Sequence, residues 1–331
     1  MRGRRRRRRD SVVAFAIAAI VVTVALVGFA SALSKRSVVS IVLHPSANAP
    51  VPKAAGYDHF DFSMVWLALH KQPALLIHGK SAYLVDVDSR LVLWAKDADT
   101  PRAPASLTKL MTAMVAIDDA ASLDKVVVVD PAATTVEPSL MGLTTGERVT
   151  VRDLIYGLFL DSGNDAAEAL ARGIVPRDRF IRQMNQKATS IGLAQTHFIN
   201  PSGLDAPGHG MSAHDIVHMA AYLDRYYPQL VAIAATKDIS IAATDAHKAF
   251  AMQNLNRMLW TYPGATGLKT GLTGNAGGCW LTTAMRNGRH LIAVVMNATG
   301  YSADDARILL DYGFSIRPTL DFPIGWFSSP V

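Results

Sequence analysis

Residues 104–120 read "PASLTKLMTAMVAIDDA", and the spacing inside this stretch decides how the chain divides. Leu107, Leu110, Met111, Met114 and Ile117 recur at helical intervals, which predicts a helix beginning near Ser106. Ser106 and Lys109, three residues apart at its start, share one helical face. The pair has two readings. Ser106 is an ordinary N-cap with Lys109 in solvent, or Ser106 is a nucleophile whose proton a neutral Lys109 removes. In the second case, the unpaired N–H groups of the helix start would also face an oxyanion forming at the attacked carbonyl.

Outward from this helix the pattern changes on both sides. Upstream, "ALLIHGKSAYLVDVDSRLVLWAKD" (74–97) alternates in strand fashion around Asp88-Ser89 and predicts a β-hairpin. Downstream, "TVRDLIYGLFLDSGNDAAEALARG" (150–173) reads as two helices, the first opened by Thr150 with Asp153 three residues on, the second starting after Ser162-Gly163-Asn164. Further helices fit "PRDRFIRQMNQKATSIG" and "SAHDIVHMAAYLDRY". Strands follow at "KDISIA", around "GLKTG", at "GCWLTTAM" and at "HLIAVVMNA", and "ADDARILLDYGF" closes as a helix. The expected class is α+β: an antiparallel sheet flanked by helices, whose first and last strands are shared, with an all-helical subdomain between them.

The formal charge of +6 sits in the opening "MRGRRRRRRD", which holds seven arginines and one aspartate, so the remainder of the chain is neutral. A neutral body argues against a nucleic-acid groove. Ser11–Leu33 is 23 residues without a charge, and at about 1.5 Å per residue it would reach roughly 35 Å, enough to cross a bilayer core of about 30 Å. The arginines before it would hold the N-terminus in the cytoplasm and put the body outside, at the cell membrane. A cleavable signal ending near Ala30-Ser31-Ala32 is the rival reading. The domain expectation is therefore a cytoplasmic tail (1–10), a transmembrane helix (11–33), a Pro/Ala/Ser-rich spacer (34–60), a catalytic domain (61–318) and a short tail (319–331). Cys279 is the one cysteine, which excludes an intrachain disulfide; beside Trp280 on a strand it reads as a small buried hydrophobe. His209, His214 and His218 lie close together, but no Glu follows His214 as a zinc-hydrolase helix needs, and polar structural roles are expected for them.

Two further motifs join the first. "DSGN" places Ser162 and Asn164 at a turn between helices, and "GLKTGL" places Lys269, Thr270, Gly271 and Leu272 on a strand. Each alone is weak; the order Ser-x-x-Lys, Ser-x-Asn, Lys-Thr-Gly is the known signature of penicillin-recognising serine enzymes. From about Ala74 to Phe314 the chain resembles the D-alanyl-D-alanine carboxypeptidases of peptidase family S11, the low-molecular-mass penicillin-binding proteins. "LIYGLFLDSGNDAAEALA", "HFINPSGLDAPGHGMSAHDIVHMA", "QNLNRMLW", "GATGLKTGLTGNAGGC" and "LLDYGF" match family segments in order.

The resemblance implies a β-lactamase/transpeptidase-like fold and an acyl-enzyme pathway on peptidoglycan stem peptides, with β-lactams as mimics. It implies Ser106 as nucleophile, Lys109 as its base and Ser162 as proton relay. Asn164 would bind the substrate backbone and hold Lys109, Lys269 and Thr270 would receive the substrate carboxylate, and Gly271 would let the substrate lie against the strand edge. The N–H groups of Ser106 and Leu272 would form the oxyanion hole. No metal and no organic cofactor is implied. Two positions depart from the family: Leu272 stands where many members have histidine, and Ser302 stands where an arginine is expected, with Arg307 nearby on another helical face. A DD-endopeptidase stays open on that account. A class A β-lactamase would need Glu-x-x-Leu-Asn after the second motif, which "AEALARG" does not supply. A penicillin-binding sensor that turns over little would keep all three motifs.

Overall fold

The computed structural model describes residues 62–299 and 303–317. The expected cytoplasmic tail, transmembrane helix, spacer and C-terminal tail fall outside the described residues. Among the described residues, no helix is long and apolar enough to cross a membrane.

The predicted hairpin is β1 (Ser81–Asp86) and β2 (Leu91–Lys96). It joins β7 (Ala265–Thr273), β8 (Gly277–Arg286) and β9 (Arg289–Ala298) in an antiparallel sheet ordered β2-β1-β9-β8-β7. β1 pairs with β9 along the whole of β1, Leu84 opposite Ala293, so the two ends of the domain close on each other as expected. The alternation read from 74–97 is one of facing rather than of exposure. All six residues of β1 are buried, with Tyr83 and Val85 facing one apolar cluster and Ala82 and Leu84 the other. A sheet covered on both faces needs apolar side chains on both.

One face carries the helical block. α1 (Val65–Leu69) belongs to the opposite layer; α2 (Lys109–Ala120), α3 (Val151–Phe159), α4 (Asn164–Gly173), α5 (Arg177–Ser190), α6 (Ala213–Tyr226) and α7 (Pro228–Ala234) form the block. α8 (Met258–Thr261) and α9 (Ala303–Ser315) pack with α1 on the other face. The stripe read on α2 is in fact a full coat, because every residue from Lys109 to Ile117 is buried. Burying one such leucine stabilises the fold by about 1.5–3 kcal/mol. α2 is thus the spindle of the block, and its first residue is a fully buried lysine.

The capping box at Thr150 is realised: its Oγ accepts from the Asp153 N–H at 3.1 Å and donates to the Asp153 carboxylate at 2.6 Å. Two small ladders, β3 (Val126–Val128) with β4 (Arg148–Thr150) and β5 (Asp238–Ile241) with β6 (Phe250–Gln253), flank the block. Of these four strands only β5 has a clear sequence signal.

Candidate active site

Ser106 lies in a 3₁₀ turn, Ala105–Thr108, that runs directly into α2. It caps nothing: Pro104 and Thr108 are the flanking residues, and neither end has a side-chain cap. The N-cap reading of Ser106 is set aside on this geometry. Ala105, with φ of 49°, lies in the left-handed region, as does Ser162 with φ of 58°. Non-glycine residues there cost on the order of 1–3 kcal/mol each, a strain typical of functional loops.

Lys109 Nζ is 2.8 Å from Ser106 Oγ, 2.7 Å from Asn164 Oδ1 and 2.6 Å from the Ser202 carbonyl. The lysine is completely buried. Burial pushes its pKa well below the usual lysine value, the positive charge of Lys269 pushes the same way, and Asp165 opposes both. A neutral amine has two N–H bonds and one lone pair. With carbonyl-type acceptors at Asn164 and Ser202 taking the two hydrogens, the lone pair faces the hydroxyl of Ser106.

The second motif is fixed by α4. Asn164 Nδ2 donates to the Glu137 carbonyl at 2.7 Å, which orients Oδ1 toward Lys109. Asp165 accepts from the N–H groups of Met141, Gly142 and Leu143 at 2.8–2.9 Å and so folds the 139–143 loop over the site. Ser162 lines the same cleft, with no hydrogen bond to Ser106 or Lys109 among the described residues.

The third motif runs along β7, an edge of the sheet. Thr270, Gly271, Leu272 and Thr273 line the cleft together with Ser106, Ser162, Asn164 and Leu204. Lys269 is buried and is not among the lining residues. Its Nζ donates to the Thr270 carbonyl at 3.0 Å, and burial lowers its pKa to about 7 against the pull of Asp161. Gly271 lines the cleft, and a Cβ there would meet Ala105 Cβ and the Ser106 nitrogen at 2.8 Å, so its missing side chain also admits the Ser106 turn. Gly203, with φ of +88°, is tighter still: its Cβ would stand 1.8 Å from the Ala105 carbonyl oxygen.

These distances bring the three motifs into one cleft. The chain is matched from residue 68 to residue 300 by the family profile for D-alanyl-D-alanine carboxypeptidase, Peptidase S11. The chain belongs to peptidase family S11. D-alanyl-D-alanine carboxypeptidase DacF of Bacillus subtilis is 37% identical over 254 residues, which are 74% of this chain and 64% of that one. This chain therefore spans less than two thirds of the Bacillus family member's length. DacB2 of Mycobacterium tuberculosis is 35% identical, over 71% of this chain and 82% of its own. Among solved structures, a penicillin-binding protein homolog from M. tuberculosis matches at TM-score 0.69 and 35% identity, covering 75% of this chain and 97% of that one. The Streptomyces K15 DD-transpeptidase matches at TM-score 0.69 and 30% identity, covering 75% and 100%.

Other residues the sequence singled out lie elsewhere. Ser302 is outside the described residues. Arg307 stacks over the Tyr262 ring at 5.5 Å, away from the cleft. Glu168 is clamped by Arg172 and Arg177 at 2.7–2.9 Å and does not line it. Cys279 is buried, its pKa raised to about 11 by burial. His214 and His218 pack edge to face at 5.9 Å, and no group of three metal-type ligands occurs among the described residues. His209 Nδ1 accepts the Ile199 N–H at 3.2 Å, so Nε2 carries the hydrogen and donates to Thr108 Oγ1 at 2.9 Å, pinning the 199–209 loop to the serine turn. The carbonyls of Ser202 and Glu137 were invisible to motif reading because any residue type supplies them. The signal for Asp165 is its place directly after Ser162-Gly163-Asn164, in the first turn of α4.

Proposed function

We propose that this protein is a serine D-alanyl-D-alanine carboxypeptidase that trims peptidoglycan stem peptides. One observation carries the reading: Nζ of a fully buried Lys109, its pKa lowered well below the usual value, lies 2.8 Å from Ser106 Oγ, with two fixed acceptors to take the hydrogens of the neutral amine and leave its lone pair for the hydroxyl. Lys109 takes the hydroxyl proton as Ser106 Oγ bonds to the carbonyl carbon of the penultimate D-alanine. The oxyanion is held by the N–H groups of Ser106 and Leu272, each worth about 10²–10³ in rate by analogy with other such holes. Ser162 passes a proton to the leaving amine, terminal D-alanine departs, and water cleaves the ester by the same base. Asn164 positions Lys109 and the peptide backbone. Thr270 receives the carboxylate by hydrogen bond, and Lys269 acts on it through its field from behind the wall. β-Lactams enter the same path and stop at the ester.

The Streptomyces K15 structure bears the name transpeptidase, so transfer of the acyl group to an amine in place of water is the second reading. Full-length protein incubated with a pentapeptide and excess amine acceptor separates the two: free D-alanine with tetrapeptide supports hydrolysis, a cross-linked product supports transfer, and neither product would sink both. Ser106→Ala should abolish fluorescent-penicillin labelling and D-alanine release together. We further propose that residues 11–33 tether the enzyme to the cell membrane with the catalytic domain outside, on the strength of the uncharged run and the arginines before it. Resistance to alkaline extraction, lost on deleting that run, is the measurement.

A further inference from the structure

A neutral lysine serves as a base only while its lone pair is held on the hydroxyl, because an amine on a four-carbon stem otherwise turns about its last bond. Two acceptors prevent that turn at Lys109. One is the Asn164 side chain; the other is the main-chain carbonyl of Ser202, 2.6 Å from Nζ. A loop carbonyl is only as well placed as its loop, and residues 199–209 form no helix or strand.

The loop is gripped from two sides. From within, Asn200 closes it: Oδ1 accepts from the Gly203 N–H at 2.8 Å, the Ser202 hydroxyl at 3.0 Å and the Ser202 N–H at 3.2 Å, and Nδ2 donates to the Leu204 carbonyl at 2.8 Å. The Gly203 N–H and the Ser202 carbonyl belong to one planar trans peptide and point in opposite directions. Fixing the first on Asn200 therefore aims the second at Lys109. From α2, Thr112 Oγ1 donates to the Pro201 carbonyl at 2.6 Å, and both residues are buried. Thr112 stands three residues after Lys109, on the same helical face. A threonine inside a helix ordinarily bonds back to the carbonyl four residues earlier; this one reaches across to the loop. Thus α2 carries the base and, one turn on, a clamp for the loop that orients it.

We infer that Thr112 and Asn200 are positioning residues for proton abstraction: acting together on residues 201–203, they fix the Ser202 carbonyl that keeps the lone pair of Lys109 on Ser106. The inference rests on Lys109 being the base, as in the reading above. Neither side chain is among those that line the cleft. The carbonyl orients the neutral amine, and it also favours the charged one, because an ammonium N–H makes the stronger hydrogen bond. Loosening it therefore lowers the rate where Lys109 is neutral and moves the acid limb of that rate to lower pH. The charged groups acting on Lys109 stay in place, Lys269 from β7 and Asp165 from α4. His209, which anchors the far end of the loop to Thr108, has its pKa lowered to about 4 by burial and is neutral above that.

The test is the rate of acylation of the full-length protein by fluorescent penicillin, followed across the pH range in which it stays folded. Thr112→Val keeps the shape and loses the donor; it should lower the plateau by about 10–10²-fold, the scale of a small misplacement near the reacting atoms, and shift the acid limb to lower pH. Thr112→Ser, which keeps the hydroxyl, should hold the plateau within about threefold and leave the limb in place. Asn200→Ala should act as Thr112→Val does. Its side chain lies in a partly exposed turn, so it carries the test where Thr112→Val does not fold. Because both residues work through one carbonyl, the double variant should lose little more than the worse single variant. An unchanged plateau and limb in either single variant, a lower plateau with the limb unmoved, or losses that multiply in the double variant would each overturn the inference while leaving the peptidase intact. No acylation of the unaltered protein would instead overturn the peptidase reading itself.

Discussion

The two edges of the central sheet are treated in opposite ways. At β2 the edge is closed. Ser63 bridges Leu91, and the side-chain amide of Gln72 takes both exposed groups of Ala95, donating to its carbonyl at 2.8 Å and accepting its N–H at 2.9 Å. Trp94 Nε1 adds a bond to the Pro73 carbonyl at 3.1 Å. At β7 residues 270–273 are left along an open cleft. An unpaired edge invites another strand, and proteins ordinarily blunt it. Here the protein blunts the edge it does not use and leaves open the one on which an extended peptide could pair. The serine turn packs against that same strand.

The comparison breaks most sharply at Gly271. A methyl group there must displace either the Ser106 nitrogen or Ala105, both at 2.8 Å, and the first of these is backbone that cannot yield without moving the nucleophile. Gly271→Ala should lower the rate of penicillin acylation by about 10²-fold, the scale of one lost oxyanion donor, with far-ultraviolet circular dichroism unchanged. Acylation within threefold of the unaltered protein would mean that the edge and the serine turn are independent.

The next effect is one of pH and sets the two buried lysines apart. Lys109 must be neutral to act, and its lowered pKa gives D-alanine release an acid limb. On the proposed function Lys269 acts in its charged form, and with a pKa of about 7 its protonated fraction in the free enzyme falls about tenfold per unit above that. kcat/KM should therefore decline above about pH 7. A bound carboxylate favours the charged lysine, so kcat should decline only at higher pH. Lys269→Arg, which stays charged throughout, should flatten the alkaline limb of kcat/KM and leave the acid limb in place. A limb unchanged in that variant would assign it to another group.

The open edge and the closed one were unequally legible in the sequence. The motifs that meet at the cleft were readable because they are side chains at fixed short spacings: Ser106 with Lys109, Ser162 with Asn164, and the run from Lys269 to Leu272. The sheet was readable as strands, but not its burial on both faces, since a run such as Ala82–Val85 is equally apolar on either face. What escaped was contributed by backbone or by distant pairing. The Ser202 carbonyl depends on Gly203 fitting beneath Ala105, a contact across about a hundred residues of chain. Short pieces such as β3 and β4 pair with each other, and three residues carry too little pattern to predict.

The smallest effect belongs to the closed edge, and it is the one that shows whether the asymmetry is functional. Gln72→Ala removes both bonds to Ala95 and leaves its N–H and carbonyl to water. Two partly exposed hydrogen bonds amount to about 1–2 kcal/mol, which for a domain of this size lowers Tm by roughly 2–8 °C. Acylation by penicillin should stay within about twofold, because the change is at the strand farthest from β7 in the sheet. The reopened edge should also raise concentration-dependent self-association, measured by light scattering, and Gln72→Asn should not repair it, since one methylene fewer draws the amide away from both groups of Ala95. A variant that lost acylation in proportion to stability would mean that the two edges report on one global equilibrium. Stability lost with acylation intact would mean that the closed edge serves only to keep the molecule to itself, leaving pairing to the edge that carries the serine.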